Sequence, residues 1–202
     1  MSYNKSKVID RIKVSADKGD ADSQFILATM CDWMVEYRDY DEALKYYLLS
    51  AENGIAEAQY RLGDIYSSNS LFPNVDKNEE EGVKYYKLAA DNGHAQAQYI
   101  IAQMYEHGMN RYDYSTGKTV TIVPKNEDEA LKYYELAAVN GISNAQIRIL
   151  EIMIDKKQFQ YFDKYYDLAS NNEDEHTRLA AANLLQIGME KNKKIKRLFE
   201  LK

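Results

Sequence analysis

The sequence has one cysteine, two prolines and no long apolar run. Cys31 has no second cysteine to pair with, so an internal disulfide is excluded. The two prolines and nine glycines are scattered among the 202 residues, and no linker rich in either divides the chain. No stretch approaches the roughly 18 consecutive apolar residues of a membrane-spanning helix. These absences predict a single elongated domain, residues 1–202, without a transmembrane segment.

The first residues of the chain also lack the apolar core of a secretory signal peptide. We therefore expect an intracellular, cytoplasmic protein. The formal net charge is −6 at pH 7, and the phosphates of nucleic acids repel an acidic chain. Nucleic acid is therefore not expected as the main partner.

A Lys-Tyr-Tyr triplet, followed one residue later by Leu, occurs four times. The triplets are Lys45-Tyr46-Tyr47, Lys84-Tyr85-Tyr86, Lys132-Tyr133-Tyr134 and Lys164-Tyr165-Tyr166. A glycine follows three of them at a fixed offset, and an earlier glycine marks a weaker copy at the N-terminus. These glycines, Gly19, Gly54, Gly93 and Gly141, stand 35, 39 and 48 residues apart. The chain is therefore predicted to be an array of one unit of about 35 residues, with insertions.

Each unit is predicted to contain two helices, called helix A and helix B. An Asn or Asp caps the start of helix A, and in three units a Glu follows three residues later, which is the capping-box pattern. The predicted caps are Asn4, Asp39, Asn78 and Asn126. Helix A ends at an Asn-Gly pair, because Gly adopts the left-handed conformation that closes a helix. Helix B begins two or three residues later with a small residue and Gln, as in Ala58-Gln59.

The predicted repeats span about 4–38, 39–77, 78–125, 126–157 and 158–188, and the first and last are degenerate. A basic segment, 189–202, follows them. Its Ile195, Leu198 and Phe199 have helical spacing, which predicts a helix that caps the last repeat. Weak contact with an anionic surface, or tethering of a regulatory subunit to a membrane or enzyme, is the alternative role of this segment.

Small residues, aromatic residues and glycines occur at regular spacing in two successive stretches. These are Gly82-x-x-Tyr85-Tyr86-x-x-Ala89-Ala90-x-x-Gly93 and Ala97-Gln98-x-x-x-Ala102-x-x-Tyr105-x-x-Gly108. The pattern resembles the Sel-one-like repeat (SLR), a relative of the tetratricopeptide repeat, over about residues 4–188. The resemblance implies an all-α fold, an α/α superhelical solenoid of antiparallel helix pairs. It also implies a non-enzymatic scaffold or adaptor that binds a protein or peptide partner.

Four lysines occupy one row of helix A. They are Lys45, Lys84, Lys132 and Lys164. In tetratricopeptide-like arrays this row lines the concave surface, so the lysines are candidates for binding an acidic peptide. Asp41, Glu80 and Asp128 precede three of them by four residues, so ion pairs within each helix are the alternative. Lys164 has Gln160 at that offset and lacks such a partner in the sequence.

One unit boundary carries an insertion, residues 109–123. Between Tyr105 and Asn126 there are 20 residues, against 11 between Tyr66 and Asn78. Tyrosines and β-branched residues flank a Ser-Thr-Gly-Lys turn, which predicts a short β-hairpin. Insertions in such arrays form loops on one face and often bind partners. The candidate partner-binding residues here are Arg111, Tyr112, Tyr114 and Lys118.

Other motifs carry no predicted chemistry. Gly117-Lys118-Thr119 copies the end of a phosphate-binding loop, but Tyr112 stands where that motif needs its first glycine. Cys31 falls on a packing row of helix B, so we expect a buried, inert thiol. The three histidines, His94, His107 and His176, are expected on the surface, and their spacing matches no metal site. We predict no catalytic residue, no metal and no cofactor, and a hydrolase with a groove site is the unfavoured alternative.

Overall fold

The computed structural model describes residues 2–67 and 72–191, with the backbone alone for residues 2–6. The described residues form ten α-helices, one short 3-10 helix and one hairpin. The helices are α1 (Ser2–Asp17), α2 (Ala21–Trp33), α3 (Tyr40–Glu52), α4 (Ala56–Ser67), α5 (Glu79–Asp91), α6 (Ala95–His107), α7 (Glu127–Val139), α8 (Ser143–Lys156), α9 (Phe162–Ser170) and α10 (Glu175–Lys191). The 3-10 helix, Val35–Tyr37, follows α2.

The chain divides into two compact units, residues 1–97 and 98–202. In the N-terminal unit α2 packs against both α1 and α3, and α4 packs against both α3 and α5. In the C-terminal unit α8 packs against α7, α9 and α10. The fold is therefore an all-α repeat of the solenoid class, built from successive helix pairs, as predicted. The predicted capping helix falls mostly on residues 192–202, which lie outside the described residues.

The insertion forms an antiparallel hairpin, as predicted. Its strands are β1 (Met109–Asp113) and β2 (Lys118–Val123), and they follow α6 in the chain. Asn110 pairs with Thr121, whereas Met109 pairs with Val123, so Ile122 is an extra residue in β2. This β-bulge near the base of the hairpin interrupts the regular register.

The predicted caps of three A helices are confirmed. Asp39, Asn78 and Asn126 each accept a hydrogen bond from the backbone N–H three residues later, which satisfies a donor that the helix leaves unpaired. The distances are 2.9 Å from Glu42 N, 3.1 Å from Glu81 N and 3.1 Å from Glu129 N.

In a complete capping box the Glu side chain also accepts the backbone N–H of the cap residue. Here that N–H bonds to the preceding repeat instead. Each cap donates its own backbone N–H to a carbonyl oxygen near the end of the preceding helix B. These bonds join Asp39 to Cys31 (3.0 Å), Asn78 to Tyr66 (2.8 Å) and Asn126 to Tyr105 (2.8 Å). The glutamate of each predicted box is therefore not required at the cap.

The predicted start of the first helix is wrong. Asn4 lies inside α1, which begins at Ser2. In the later repeats, the carbonyl of a preceding helix B holds the backbone N–H of the cap outside the helix. The backbone has helical geometry from Ser2 through Asn4, so Asn4 is not the cap of α1.

Glycine ends helix A for the predicted reason. Gly54, Gly93 and Gly141 have φ of 86°, 88° and 89°, in the left-handed region that favours Gly. A Cβ atom at these positions would meet nothing within 4 Å, so backbone conformation and not space selects the residue. In the last repeat, where Glu173 replaces this glycine, α9 closes on Asn171 with φ of −98°.

Aromatic side chains of the triplets fill the core, and small residues let the helices approach closely. Tyr46 and Tyr47 are fully buried in the N-terminal unit, as are Tyr133 and Tyr134 in the C-terminal unit. Burying such a side chain contributes about 1.5–3 kcal/mol. At Gly63, an added Cβ would lie 2.5 Å from the ring of Tyr86.

Candidate partner-binding surface

Each of the four row lysines lies over the ring of the tyrosine that follows it. The distances from Nζ to the ring centroid are 4.7 Å for Lys45 and Tyr46, 5.5 Å for Lys84 and Tyr85, 5.2 Å for Lys132 and Tyr133, and 4.9 Å for Lys164 and Tyr165. Cation–π attraction acts over this range. All four lysines are exposed. The same arrangement therefore occurs twice in each unit.

Two of these lysines also form ion pairs within their helices, but in a different register from the prediction. Lys84 Nζ lies 3.0 Å from Glu81, and Lys132 Nζ lies 3.5 Å from Glu129. Both carboxylates precede the lysine by three residues instead of four. These are the same glutamates whose side chains were predicted to bond to the backbone N–H of the caps. A hydrogen bond with Glu81 raises the pKa of Lys84.

The predicted pair of Asp41 with Lys45 is replaced by other contacts. Asp41 accepts a hydrogen bond of 2.8 Å from Asn74, and Glu42 pairs with Lys13 at 2.8 Å. Within the described residues, neither Lys45 nor Lys164 forms an ion pair. These two ammonium groups lie on tyrosine rings, and no carboxylate of residues 7–67 and 72–191 pairs with them.

A single carboxylate holds the turn of the hairpin. Asp113 accepts hydrogen bonds from the backbone N–H of Ser115 (2.9 Å), the hydroxyl of Ser115 (2.6 Å) and the hydroxyl of Thr116 (2.8 Å). These bonds, those of Ser115 first, lower the pKa of Asp113 to about 2. Gly117 closes the turn by donating its N–H to the carbonyl of Asp113 (2.8 Å). The turn is therefore fixed by its own side chains at neutral pH.

The hairpin exposes two tyrosines. The side chain of Tyr114 is 90% exposed at the turn, and that of Tyr112 is 50% exposed on β1. Their rings meet edge to face, with centroids 5.0 Å apart. Among the other predicted residues, Lys118 is exposed opposite Asp113, whereas Arg111 is half-buried and pairs with Val120. Since residues alternate along a strand, Arg111 lies on the opposite face of the hairpin from Tyr112.

A network of carboxylate, tyrosine and arginine, which was not predicted from the sequence, joins successive repeats. In the N-terminal unit Asp32, on α2, accepts hydrogen bonds from Tyr47 (3.1 Å) and Arg61 (2.6 Å). Arg61 also bonds to Asp64 at 3.3 Å, and its guanidinium stacks on the ring of Trp33 at 5.1 Å. A helix B of one repeat is thereby tied to both helices of the next.

The same network recurs in the C-terminal unit. Glu106 accepts hydrogen bonds from Tyr134 (2.6 Å) and from Nε of Arg148 (3.0 Å), and Arg148 also bonds to Glu151 (2.7 Å). Burial opposes the charge on Glu106, but these bonds hold its pKa below the ordinary value. The signal in the sequence was that Arg61 and Arg148 both stand two residues after the glutamine of helix B.

Buried glutamines form a second connection between repeats, which was not predicted from the sequence either. Three glutamines at the start of a helix B donate to a carbonyl at the end of their own helix A: Gln24 to Ala16 (3.1 Å), Gln59 to Ala51 (3.0 Å) and Gln146 to Ala138 (3.0 Å). Each also accepts from an asparagine of the next repeat: Asn53 (3.2 Å), Asn92 (2.8 Å) and Asn172 (2.9 Å). Both ends of the amide are thus satisfied, which buried polar groups require.

His94 differs from its prediction as a surface residue. Its ring is half-buried and stacks on that of Tyr60, with centroids 4.3 Å apart. Nδ1 accepts a hydrogen bond of 3.1 Å from the backbone N–H of Ala97, and Nε2 lies 3.0 Å from Glu57. His94 therefore serves as the N-terminal cap of α6, and its place directly before that helix was the available signal.

The remaining reactive side chains lie where they were predicted. Cys31 is buried, and burial, together with Glu42, raises the pKa of its thiol to about 11. The thiol therefore stays protonated at neutral pH and is a poor nucleophile. His107 and His176 are exposed.

In the described parts of the chain, no three His, Cys, Asp or Glu side chains come together in a way that would hold a metal ion. The helices of residues 2–67 and 72–191 include none that is long and apolar enough to span a membrane.

Comparison with known proteins gives the family. A model of the Sel1 repeat matches residues 21–55, 56–94, 95–118 and 112–141, which together cover more than half of the chain. A solved Sel1 repeat protein from Oxalobacter formigenes is 30% identical, with a TM-score of 0.59 over 72% of this chain and 98% of that protein. A search of curated proteins found no match.

A second solved structure supports the fold alone. It is c5321, a protective antigen of uropathogenic Escherichia coli strains that displays an SLR fold. It is 24% identical, with a TM-score of 0.61 over 97% of this chain, and this chain spans 44% of its length. With the helix pairs and the four matched repeats, these likenesses confirm the resemblance read from the sequence: the chain belongs to the Sel1 repeat family.

Proposed function

We propose that this protein is a non-enzymatic adaptor that binds a partner peptide or domain through its hairpin and the lysine row of its A helices. Sel1 repeat proteins generally act as protein-interaction scaffolds, and the family is generally non-enzymatic. The finer assignment of a binding surface to this chain rests on its own geometry.

The observation that carries the proposal is the tyrosine pair on the fixed turn of the hairpin. Exposed aromatic rings are not needed to close a solvated loop, yet Tyr112 and Tyr114 are both exposed and pack on each other. Asp113 fixes the turn that presents them. Tyrosines on a preorganised loop supply large contact area at low entropic cost, which is how antibody loops bind.

The lysine row supports a second, weaker contact of the same partner. A tyrosine ring beneath each ammonium group limits the orientations of the lysine before binding. Lys45 and Lys164 form no ion pair within the described residues, so no carboxylate of that part of the chain competes with an acidic partner for them. Lys84 and Lys132 have part of their charge neutralised by glutamates.

Affinity capture with mass spectrometry tests this function. Wild-type protein is compared with the double variant Tyr112→Ser, Tyr114→Ser and with Val139→Ser, a matched control that removes an exposed apolar side chain (57% exposed) from α7. We expect a specific set of proteins to be lost with the double tyrosine variant and retained with the control.

A second variant, Lys45→Glu with Lys164→Glu, measures the contribution of the lysine row. Loss of the same proteins would show that the lysines contribute to binding them. If the tyrosine variant captured the same proteins as the wild type, the hairpin would not be the binding surface and the proposal would be wrong.

A further inference from the structure

An apolar groove lies between α1 and the end of α2 in the N-terminal unit. Its volume is about 360 Å³. It is lined by Val8, Ile9, Ile12, Met30, Met34, Glu36 and Tyr37. None of these residues belongs to the lysine row or to the hairpin, so the groove is a separate feature of the molecule.

The second repeat shows what fits such a space. Phe72 lies in the segment that follows helix B of the second repeat, as Tyr37 does in the first, and Lys5 stands 35 residues before Tyr40. In the second repeat the rings of Tyr40 and Phe72 pack together with centroids 5.1 Å apart, and Phe72 is only 4% exposed. The first repeat has a lysine in its sequence where the second has this tyrosine. An aromatic or aliphatic side chain is therefore the natural complement of the groove.

Exposed apolar side chains stand next to the groove residues in the sequence. Trp33, Met34 and Val35 form a consecutive run with exposures of 63%, 41% and 79%, and Val8 on α1 is 51% exposed. Such a run is unusual on a solvated surface and marks binding sites. Methionine adapts its shape to different ligands, and tryptophan is enriched among residues that dominate binding energy.

The charge of the groove selects the sign of its ligand. Among the described residues of the lining, Glu36 is the only charged one. In the described part of the chain no lysine or arginine forms an ion pair with it. A ligand that covers the groove would bury this carboxylate, and a cation on the ligand would offset that cost.

We propose that this groove binds an amphipathic helix of a partner protein. Aliphatic or aromatic side chains of the helix enter the groove beside Met30 and Ile12, and a flanking Lys or Arg pairs with Glu36. An apolar helix face laid into a groove is a common mode of peptide recognition. This site does not depend on the hairpin.

Two synthetic peptides of about four helical turns test the proposal. One carries Leu on one face and Lys on the other, and the second has Glu in place of every Lys. Trp33 is the only tryptophan of the chain and precedes the lining residue Met34, so its fluorescence serves as a probe of binding, and calorimetry gives the affinity. We expect the Lys peptide to bind about tenfold or more tightly than the Glu peptide.

Matched variants locate the site. Val8→Asp and Met34→Asp place a charge in the groove and should weaken binding of the Lys peptide about tenfold. Val14→Asp changes a residue of α1 that is equally exposed (53%) but does not line the groove, and it should leave binding unchanged. Glu36→Lys should weaken the Lys peptide and strengthen the Glu peptide. Circular dichroism confirms that each variant is folded.

Three results would overturn the proposal. They are equal binding of the two peptides, no binding of either, and an equal effect of Val8→Asp and Val14→Asp. Light scattering covers a fourth case: if the full chain is a dimer that Val8→Asp dissociates, the occupant is a second copy and not a partner helix. None of these results bears on the capture experiment with the hairpin variants.

Discussion

Tyr134 donates a 2.6 Å hydrogen bond to Glu106, and Arg148 binds the same carboxylate from the next helix B. Asp32 receives the corresponding pair of bonds from Tyr47 and Arg61 in the N-terminal unit. In a repeat array each unit contacts only its neighbours, so stability depends on the interfaces between units. These polar contacts sit at such interfaces and set the position of one repeat on the next.

Removal of the Tyr134 hydroxyl should therefore destabilise the protein. Tyr134 is buried, and Tyr134→Phe leaves Glu106 with one donor fewer in a partly desolvated site. We expect a loss of about 1–3 kcal/mol in the free energy of unfolding, measured with urea. The same change at the exposed Tyr114 should have an effect within about 0.5 kcal/mol. Equal effects of the two variants would show that the bond to Glu106 does not contribute.

The low pKa of Glu106 predicts the direction of a pH effect. Hydrogen bonds from Arg148 and Tyr134 outweigh burial and keep the pKa of this carboxyl below its ordinary value. A carboxyl of this kind stabilises the fold above its unfolded pKa of about 4.3, and the stabilisation is lost as the pH falls through the folded pKa. Between about pH 6 and pH 3, unfolding free energy should fall more steeply for wild type than for Glu106→Gln. Parallel curves would contradict this assignment.

Local signals explain why so much of the fold was predictable. The starts of α3, α5 and α7 are marked by Asp39, Asn78 and Asn126, since a side chain that caps a helix acts on residues next to it in sequence. The hairpin was predictable for the same reason, because β-branched residues and Gly117 specify strands and a turn within a short segment.

Contacts between repeats were not predictable, because they depend on how two helices meet. Lys84 and Lys132 pair with the glutamate three residues before them instead of the acidic residue four residues before them. Glu81 and Glu129 are available for these ion pairs because the backbone N–H of each cap bonds to the preceding helix B. The groove beside Met30 also arises from the packing of α1 on α2, so no pattern within a short segment of the sequence predicts it.

His94 should matter for stability although it was expected to be an ordinary surface residue. His94→Ala removes the acceptor that satisfies the N–H of Ala97, so we expect a loss of about 1 kcal/mol. His94→Asn restores a side chain that can cap the helix and should recover most of the lost stability. His107→Ala, at a side chain that is 70% exposed, is the control and should have little effect. Thermal unfolding of the four proteins measures these differences, and an equal loss for His107→Ala would exclude the capping role.

Lys157 is the one described residue other than Gly with a positive φ, 55°, and it closes α8. A residue with a Cβ pays roughly 1–2 kcal/mol for left-handed geometry, while Gly loses more entropy on folding, so the net gain from Gly is smaller than this cost. Lys157→Gly should therefore stabilise the protein by about 0.5–1 kcal/mol in urea unfolding. Lys157→Val, whose β-branched side chain tolerates this geometry poorly, should destabilise it. If Gly and Val gave the same change, the left-handed closure of α8 would not persist in solution.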